Sequence, residues 1–114
     1  MLNHVVMMKF KPGVEESEIK ELEKMLDELP NKITEIHSYE FGRDIMRSTR
    51  SYDFALVSLF ANPEALERYA QHQHHQAVLK KIKQICETVA TVDFEGSNAG
   101  SVEIERPSLD FKLI

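Results

Sequence analysis

The stretch "YDFALVSLF", residues 52–60, is a short apolar run of the kind that forms a buried β-strand. Side chains along a strand alternate between its two faces, so every second residue points the same way. Both faces of this run are apolar: one would carry Phe54, Leu56 and Phe60, and the other Ala55, Val57 and Leu59. A strand that is apolar on both faces needs a covering layer on each side.

The elements on either side of this run alternate between strand and helix. The pattern predicts further strands at about 2–10, 33–42 and 88–94. A first helix should begin after Glu15, carry a stripe of leucines and end at Pro30. A second should begin at Asn62 and break near the histidines. The order β-α-β-β-α-β predicts an α+β, ferredoxin-like fold with both helices on one face of the sheet.

The two helices leave the second face of the four-stranded sheet without a covering layer. The first predicted strand is also apolar on both sides, with Val6 and Met8 opposite Val5 and Met7. An exposed apolar patch of that size is rare on a monomer, and a second copy of the chain is the simplest cover. The sequence therefore predicts a homodimer in which two sheets face each other.

The composition narrows the class of protein and its partners. The chain has 114 residues, 42% of them hydrophobic and 29% charged, with a formal charge of −5, which is typical of one globular domain. Without a basic stripe, nucleic acid is not an expected partner. The apolar run "VVMM" is followed by Lys9 and is too short for a signal peptide or a membrane span. Cys86 is the single cysteine, so no internal disulfide can form, and we expect a cytoplasmic location.

Three motifs resemble the stress-responsive dimeric α/β barrel (Dabb) family. They are "HVVMMKFK" at 4–11, "YEFGRD" at 39–44 and "YAQHQHH" at 69–75. The resemblance covers about residues 2–95 and predicts one such domain at 1–95. It implies a dimeric α/β barrel built from two ferredoxin-like sheets. Many members of this family are known only as stress-associated proteins, so the resemblance also allows a non-catalytic homodimer with a structural or partner-binding role.

A plant polyketide cyclase in this family closes a ring by aldol condensation without a metal or an organic cofactor. The resemblance places its working tyrosine and histidine at Tyr69 and His75, and its strand-one histidine at His4. A neutral imidazole can take a proton from carbon beside a carbonyl, while a tyrosine hydroxyl donates to the developing enolate oxygen. The alternative is that Tyr69 is a core residue whose hydroxyl finds a partner. This chain departs from the cyclase in having Phe54 and Leu26 where the cyclase has a pocket histidine and a pocket tyrosine.

The barrel interior should then form a mostly apolar site for a small apolar or aromatic ligand. The predicted ligand-binding residues are His4, Val6, Met8, Leu22, Leu26, Phe54, Leu56, His72, Val78 and Leu79. A lyase, cyclase or isomerase step is expected if the site is catalytic. His72 and His75 could share a helix face, but they lack a third ligand, so we predict no metal and no cofactor. His37 and His74 are expected at the surface, and Cys86 in the core.

Residues 96–114, "GSNAGSVEIERPSLDFKLI", lie beyond the resemblance. Gly96, Ser97, Asn98, Gly100 and Ser101 are typical of a linker. Leu109, Phe111 and Leu113 alternate as in a strand. We therefore expect a C-terminal extension that is strand-like at about 108–113 and docks on the dimer partner.

Overall fold

The computed structural model describes residues 1–96 as a ferredoxin-like α+β domain. Its elements are β1 (Leu2–Phe10), α1 (Glu16–Lys32), β2 (Ser38–Arg43), β3 (Phe54–Phe60), α2 (Pro63–Gln71), α3 (Gln73–Ile85) and β4 (Cys86–Glu95). The predicted strand order along the chain is confirmed. The predicted C-terminal extension lies outside the described residues, apart from Gly96.

The four strands form one antiparallel sheet in the order β2-β3-β1-β4. Val6 of β1 pairs with Leu56 of β3 on one side and with Thr91 of β4 on the other. Val6 and Leu56 belong to the hydrophobic core, together with Leu22 from α1 and Ile82 from α3. The helices therefore cover the sheet face that carries Val6, and most of the predicted site residues lie between this face and the helices.

The opposite face of the sheet is apolar and carries no helix. Residues of three adjacent strands contribute to it, and their side chains are 37–54% exposed: Met7, Val57, Val92 and Phe94. Within residues 1–96 nothing covers these side chains, as the two-sided pattern of the first and third strands led us to expect. We call this surface the helix-free face.

Two predicted boundaries around Pro30 were wrong. Pro30 lies inside α1, which continues to Lys32. The Ile33 N–H donates to the Leu29 carbonyl at 2.9 Å, so the last turn closes beyond the proline. Ile33 is 1% exposed and packs in the core at the helix end instead of starting a strand. As a result β2 begins at Ser38, five residues later than the sequence pattern indicated.

The second helical region is divided at His72, and this predicted break is confirmed. His72 has an extended conformation (φ −65°, ψ 138°) between α2 and α3. Its Nδ1 accepts a hydrogen bond from the His74 N–H at 3.2 Å, as an N-cap side chain does. The break redirects the chain, so Tyr69 near the end of α2 and His75 near the start of α3 can approach each other.

Cys86 lies at the junction of α3 and β4 and is 8% exposed. Burial raises the pKa of its thiol to about 11. The prediction of a core cysteine is confirmed. In residues 1–96, none of the helices combines the length and the apolar character that crossing a bilayer requires.

Candidate functional site

A cavity of about 500 Å³ lies between the helices and the sheet. Most of the predicted site residues form its wall. The strands contribute His4, Val6, Met8 and Leu56, and the helices contribute Leu26, Tyr69, His75, Val78 and Leu79. The volume is within the usual range for small-molecule sites, and the wall is apolar apart from a few polar side chains.

Three residues predicted to bind ligand do not line this cavity. Leu22 and Phe54 are 0% and 1% exposed and belong to the packed core, where Phe54 stacks on Phe41. His72 faces the start of α3, and its ring stacks on that of His74 with centroids 5.2 Å apart. His72 therefore caps a helix instead of contacting a ligand. His74 is half-buried and thus less exposed than predicted, while His37 is exposed, as predicted.

Six wall residues were missed by the sequence analysis: Leu66, Ala70, Ile82, Lys83, Val89 and Thr91. Ile82 and Lys83 follow His75 by seven and eight positions, so helical periodicity alone could have placed them on the same face. Val89 and Thr91 pair with Met8 and Val6 across the β1–β4 register. That register is a tertiary feature, and the sequence carried no signal for it.

The surroundings of His75 favour its neutral imidazole form. Its Nδ1 lies 3.0 Å from the Ala70 carbonyl oxygen, which can only accept, so Nδ1 carries the proton and donates. Burial lowers the pKa of His75 below its usual 6.5, although the bond to Ala70 opposes this shift. Nε2 is therefore the nitrogen with a lone pair, which is the form that a general base requires.

Tyr69 contacts His75 directly and is itself tied to a second tyrosine. The Tyr69 and His75 ring centroids are 4.3 Å apart. The Tyr69 and Tyr39 hydroxyl oxygens are 2.7 Å apart. Burial raises the pKa of Tyr69 to about 12, while the hydrogen bond from Tyr39 lowers it. Tyr39 on β2 was not predicted, and it would stabilise negative charge on the Tyr69 oxygen.

His4 lies beside the same pair and has an acidic partner. Its ring is 6.4 Å from the Tyr69 ring, centroid to centroid, in an edge-on arrangement. His4 Nδ1 and Asp93 Oδ1 form a hydrogen bond, because His4 and Asp93 are directly opposed in the β1–β4 register. A carboxylate at Nδ1 fixes the orientation of the imidazole ring. Asp93 was also missed by the sequence analysis.

The arrangement combines a neutral imidazole, a hydroxyl that can donate and a second, carboxylate-linked imidazole at one apolar cavity. These groups can remove a proton from carbon and stabilise an oxyanion. Among residues 1–96, histidine, cysteine, aspartate and glutamate side chains form no cluster of three that could hold a metal ion.

The fold and the cavity define the class of small ferredoxin-like α+β domains with an apolar pocket between helices and sheet. Residues 2–96 match the model of the stress responsive A/B barrel domain, and the chain belongs to this Dabb family.

Several known proteins are similar to this chain. An uncharacterized protein of Streptomyces coelicolor is 32% identical over 79 residues, covering 68% of this chain and 81% of that protein. A dimeric protein of unknown function with a ferredoxin-like fold from Bacteroides fragilis is 28% identical, with a TM-score of 0.75 over 83% of this chain and 95% of its own. The hydroxynitrile lyase of Passiflora edulis has a TM-score of 0.77 over 85% and 94% of the two chains. At 15% identity, that similarity shows a shared fold and nothing about activity.

Proposed function

We propose that this protein is a homodimer that binds a small, largely apolar or aromatic carbonyl compound in the cavity and catalyses proton transfer on it without a cofactor. The step would belong to the lyase, cyclase or isomerase type. The observation that carries the proposal is the pairing of Tyr69 with a neutral His75 in the wall of an apolar cavity of about 500 Å³.

In the proposed step, His75 Nε2 removes a proton from the carbon beside the ligand carbonyl. The C–H electron pair becomes the C=C bond of an enolate, and the carbonyl oxygen takes the negative charge. The Tyr69 hydroxyl donates to that oxygen while it accepts from Tyr39. An apolar wall strengthens these interactions, because water does not compete for the same groups.

The homodimer is supported by the helix-free face and by the similarity to a protein described as dimeric. Two copies packed through this face would remove Met7, Val57, Val92 and Phe94 from water. The apolar face resembles the core of a homodimer interface more than an ordinary protein surface.

Solvent deuterium incorporation tests the catalytic part of the proposal. The compound 4-phenyl-2-butanone carries an aromatic ring and a ketone with exchangeable α-protons. We expect the protein to accelerate incorporation of deuterium at these positions in D₂O, measured by proton NMR. His75→Ala and Tyr69→Phe should each lower the accelerated rate by about 10²-fold, the usual contribution of one acid or base.

His74→Ala provides a matched control, because His74 is the adjacent histidine and does not line the cavity. This variant should retain the wild-type rate. If wild type gives no acceleration, or if His74→Ala and His75→Ala lose the same amount, the catalytic role is wrong. The remaining function would then be the alternative one: a non-catalytic, stress-associated homodimer with a structural or partner-binding role.

A further inference from the structure

The polar residues of the cavity wall are separated into two ends. His4, Tyr69 and His75 lie together at one end. Along α3 the wall continues through Val78, Leu79 and Ile82 to Lys83. From His75 to Lys83 the helix advances eight residues, or about 12 Å at about 1.5 Å per residue. The cavity is therefore an apolar channel with the acid–base groups at one end and the Lys83 side chain at the other.

Lys83 differs from Lys81, the nearest lysine in the chain. Lys81 is 9% exposed and its Nζ is 3.0 Å from a Glu21 carboxylate oxygen. Lys83 is exposed, lines the cavity and does not take part in the ion pairs formed within residues 1–96. An ammonium group at a partly hydrated mouth can pair with an anion without the large desolvation cost of a buried ion pair.

The cavity wall between the two ends offers few polar groups that could contact a ligand. Val6, Met8, Leu56 and Val89 are sheet residues of this middle section, and Thr91 is the one hydroxyl among the β4 residues in the wall. A ligand that fills the channel must therefore be apolar over most of its length. Its charge, if it has one, is best placed at Lys83.

We infer that the ligand is an amphipathic carboxylate whose anionic group pairs with Lys83 and whose apolar body runs along α3 to place a carbonyl near His75 and Tyr69. This inference rests on the proposed function and adds the class of ligand and its orientation. Lys83 would serve as a specificity-determining residue, since it selects charged over neutral molecules of the same shape.

Decanoate and decanamide are suitable probes, because they share a chain and differ in charge. Titration calorimetry of the full chain should show decanoate binding about 3- to 10-fold more tightly than decanamide, as expected for one partly hydrated charge-assisted contact. The preference should shrink as salt is raised. Within the carboxylate series, each added methylene should increase affinity about 3- to 4-fold until the channel is full.

Lys83→Gln should remove the preference for decanoate and leave the affinity for decanamide unchanged. Lys80→Gln is the matched control on the exposed side of the same helix and should keep the preference. Leu79→Trp, which introduces an indole into the wall, should weaken binding of both probes if they occupy the cavity.

The possible failures can be told apart. Equal affinity of wild type for the two probes, or a preference that survives Lys83→Gln, would overturn the carboxylate inference and leave the proposed function standing. Binding that is unaffected by Leu79→Trp would place the probes elsewhere and also overturn it. No binding of either probe to wild type would overturn both this inference and the proposed ligand site.

Discussion

His75 illustrates how its surroundings determine the chemistry of a side chain. The Ala70 carbonyl fixes the proton on Nδ1, and burial disfavours the charged ring. Its neighbour His74, one position earlier, stacks on His72 and does not reach the cavity. His74 and His75 are adjacent residues of the same type, but only His75 is positioned to act at the cavity. Their different positions on α3 cause this difference.

We predict that His75 titrates below its ordinary pKa of 6.5. Its proton binds less tightly in the folded than in the unfolded chain, so this residue contributes stability above pH 6.5 that is lost as the pH falls through the folded pKa. The base form, and with it any His75-dependent rate, should persist below pH 6.5. An NMR titration of the imidazole Cε1 proton, assigned with His75→Ala, measures this. A midpoint above 6.5 would contradict it.

We predict that Tyr39→Phe lowers the free energy of unfolding by about 1–2 kcal/mol, because it leaves the Tyr69 hydroxyl without this partner in a buried site. The pKa of Tyr69 should rise further, since the bond from Tyr39 lowers it. Urea denaturation measures the first effect and absorbance near 295 nm the second. Tyr52→Phe is the control and should stay within about 0.5 kcal/mol of wild type. Equal effects of the two substitutions would show that the hydroxyl pair contributes nothing.

The sequence indicated part of this constellation and missed the rest for a physical reason. Tyr69 and His75 lie six positions apart, so a local motif could point to them. Tyr39 and Asp93 reach the site through strand pairing, Asp93 opposite His4 and Tyr39 opposite Ser58. Pairing register depends on the complete sheet, which a single strand does not specify.

The break between α2 and α3 is the feature of the secondary structure that forms the site. His72 ends one helix and caps the next, and the change of direction brings Tyr69 against His75. The break was predictable because the apolar period is interrupted at the histidines. The extension of α1 beyond Pro30 was not, because tertiary packing of Ile33 outweighed the local tendency of proline to end a helix.

We predict that His72→Ala destabilises the fold by about 1 kcal/mol, the usual cost of losing an N-cap acceptor. The same change should lower the acceleration of deuterium incorporation, because His75 lies only three residues after His72, in the first turn of the helix that His72 caps. His72→Asn keeps a capping acceptor and should restore most of the stability. Thermal and urea unfolding of the three proteins measure this. A His72→Asn variant that is no more stable than His72→Ala would refute the capping role.

The two faces of the sheet have different roles in the molecule. The helix-covered face forms the core and the cavity, and the helix-free face remains apolar and exposed within residues 1–96. The sequence of residues 52–60 already indicated that both faces of the sheet are apolar, since both faces of that strand are. The predicted ligand-binding residues on the first and third strands already lay on the helix-covered side, where the cavity is found. What the sequence did not reveal is how Lys83 lies relative to His75.

We predict that Val92→Lys weakens dimerisation by at least tenfold, because it places a charge on the helix-free face, where Val92 is 54% exposed. Val89→Lys is the matched control: Val89 is a comparably exposed valine (46%) on the same strand but faces the cavity side. Sedimentation velocity across a concentration series gives the dimer dissociation constants of wild type and of the two variants. Wild type that sediments as a monomer at micromolar concentration, or equal weakening by the two changes, would rule out this interface.

The position of a bound ligand tests the proposed site most directly. Intermolecular nuclear Overhauser effects can be recorded between 4-phenyl-2-butanone and the isotope-labelled protein. We expect contacts from the ligand to the rings of Tyr69 and His75 and to the methyl groups of Val78 and Leu79, all in the wall of the cavity. Contacts confined to Val57, Val92 and Phe94 on the helix-free face, or no contacts at ligand saturation, would contradict it.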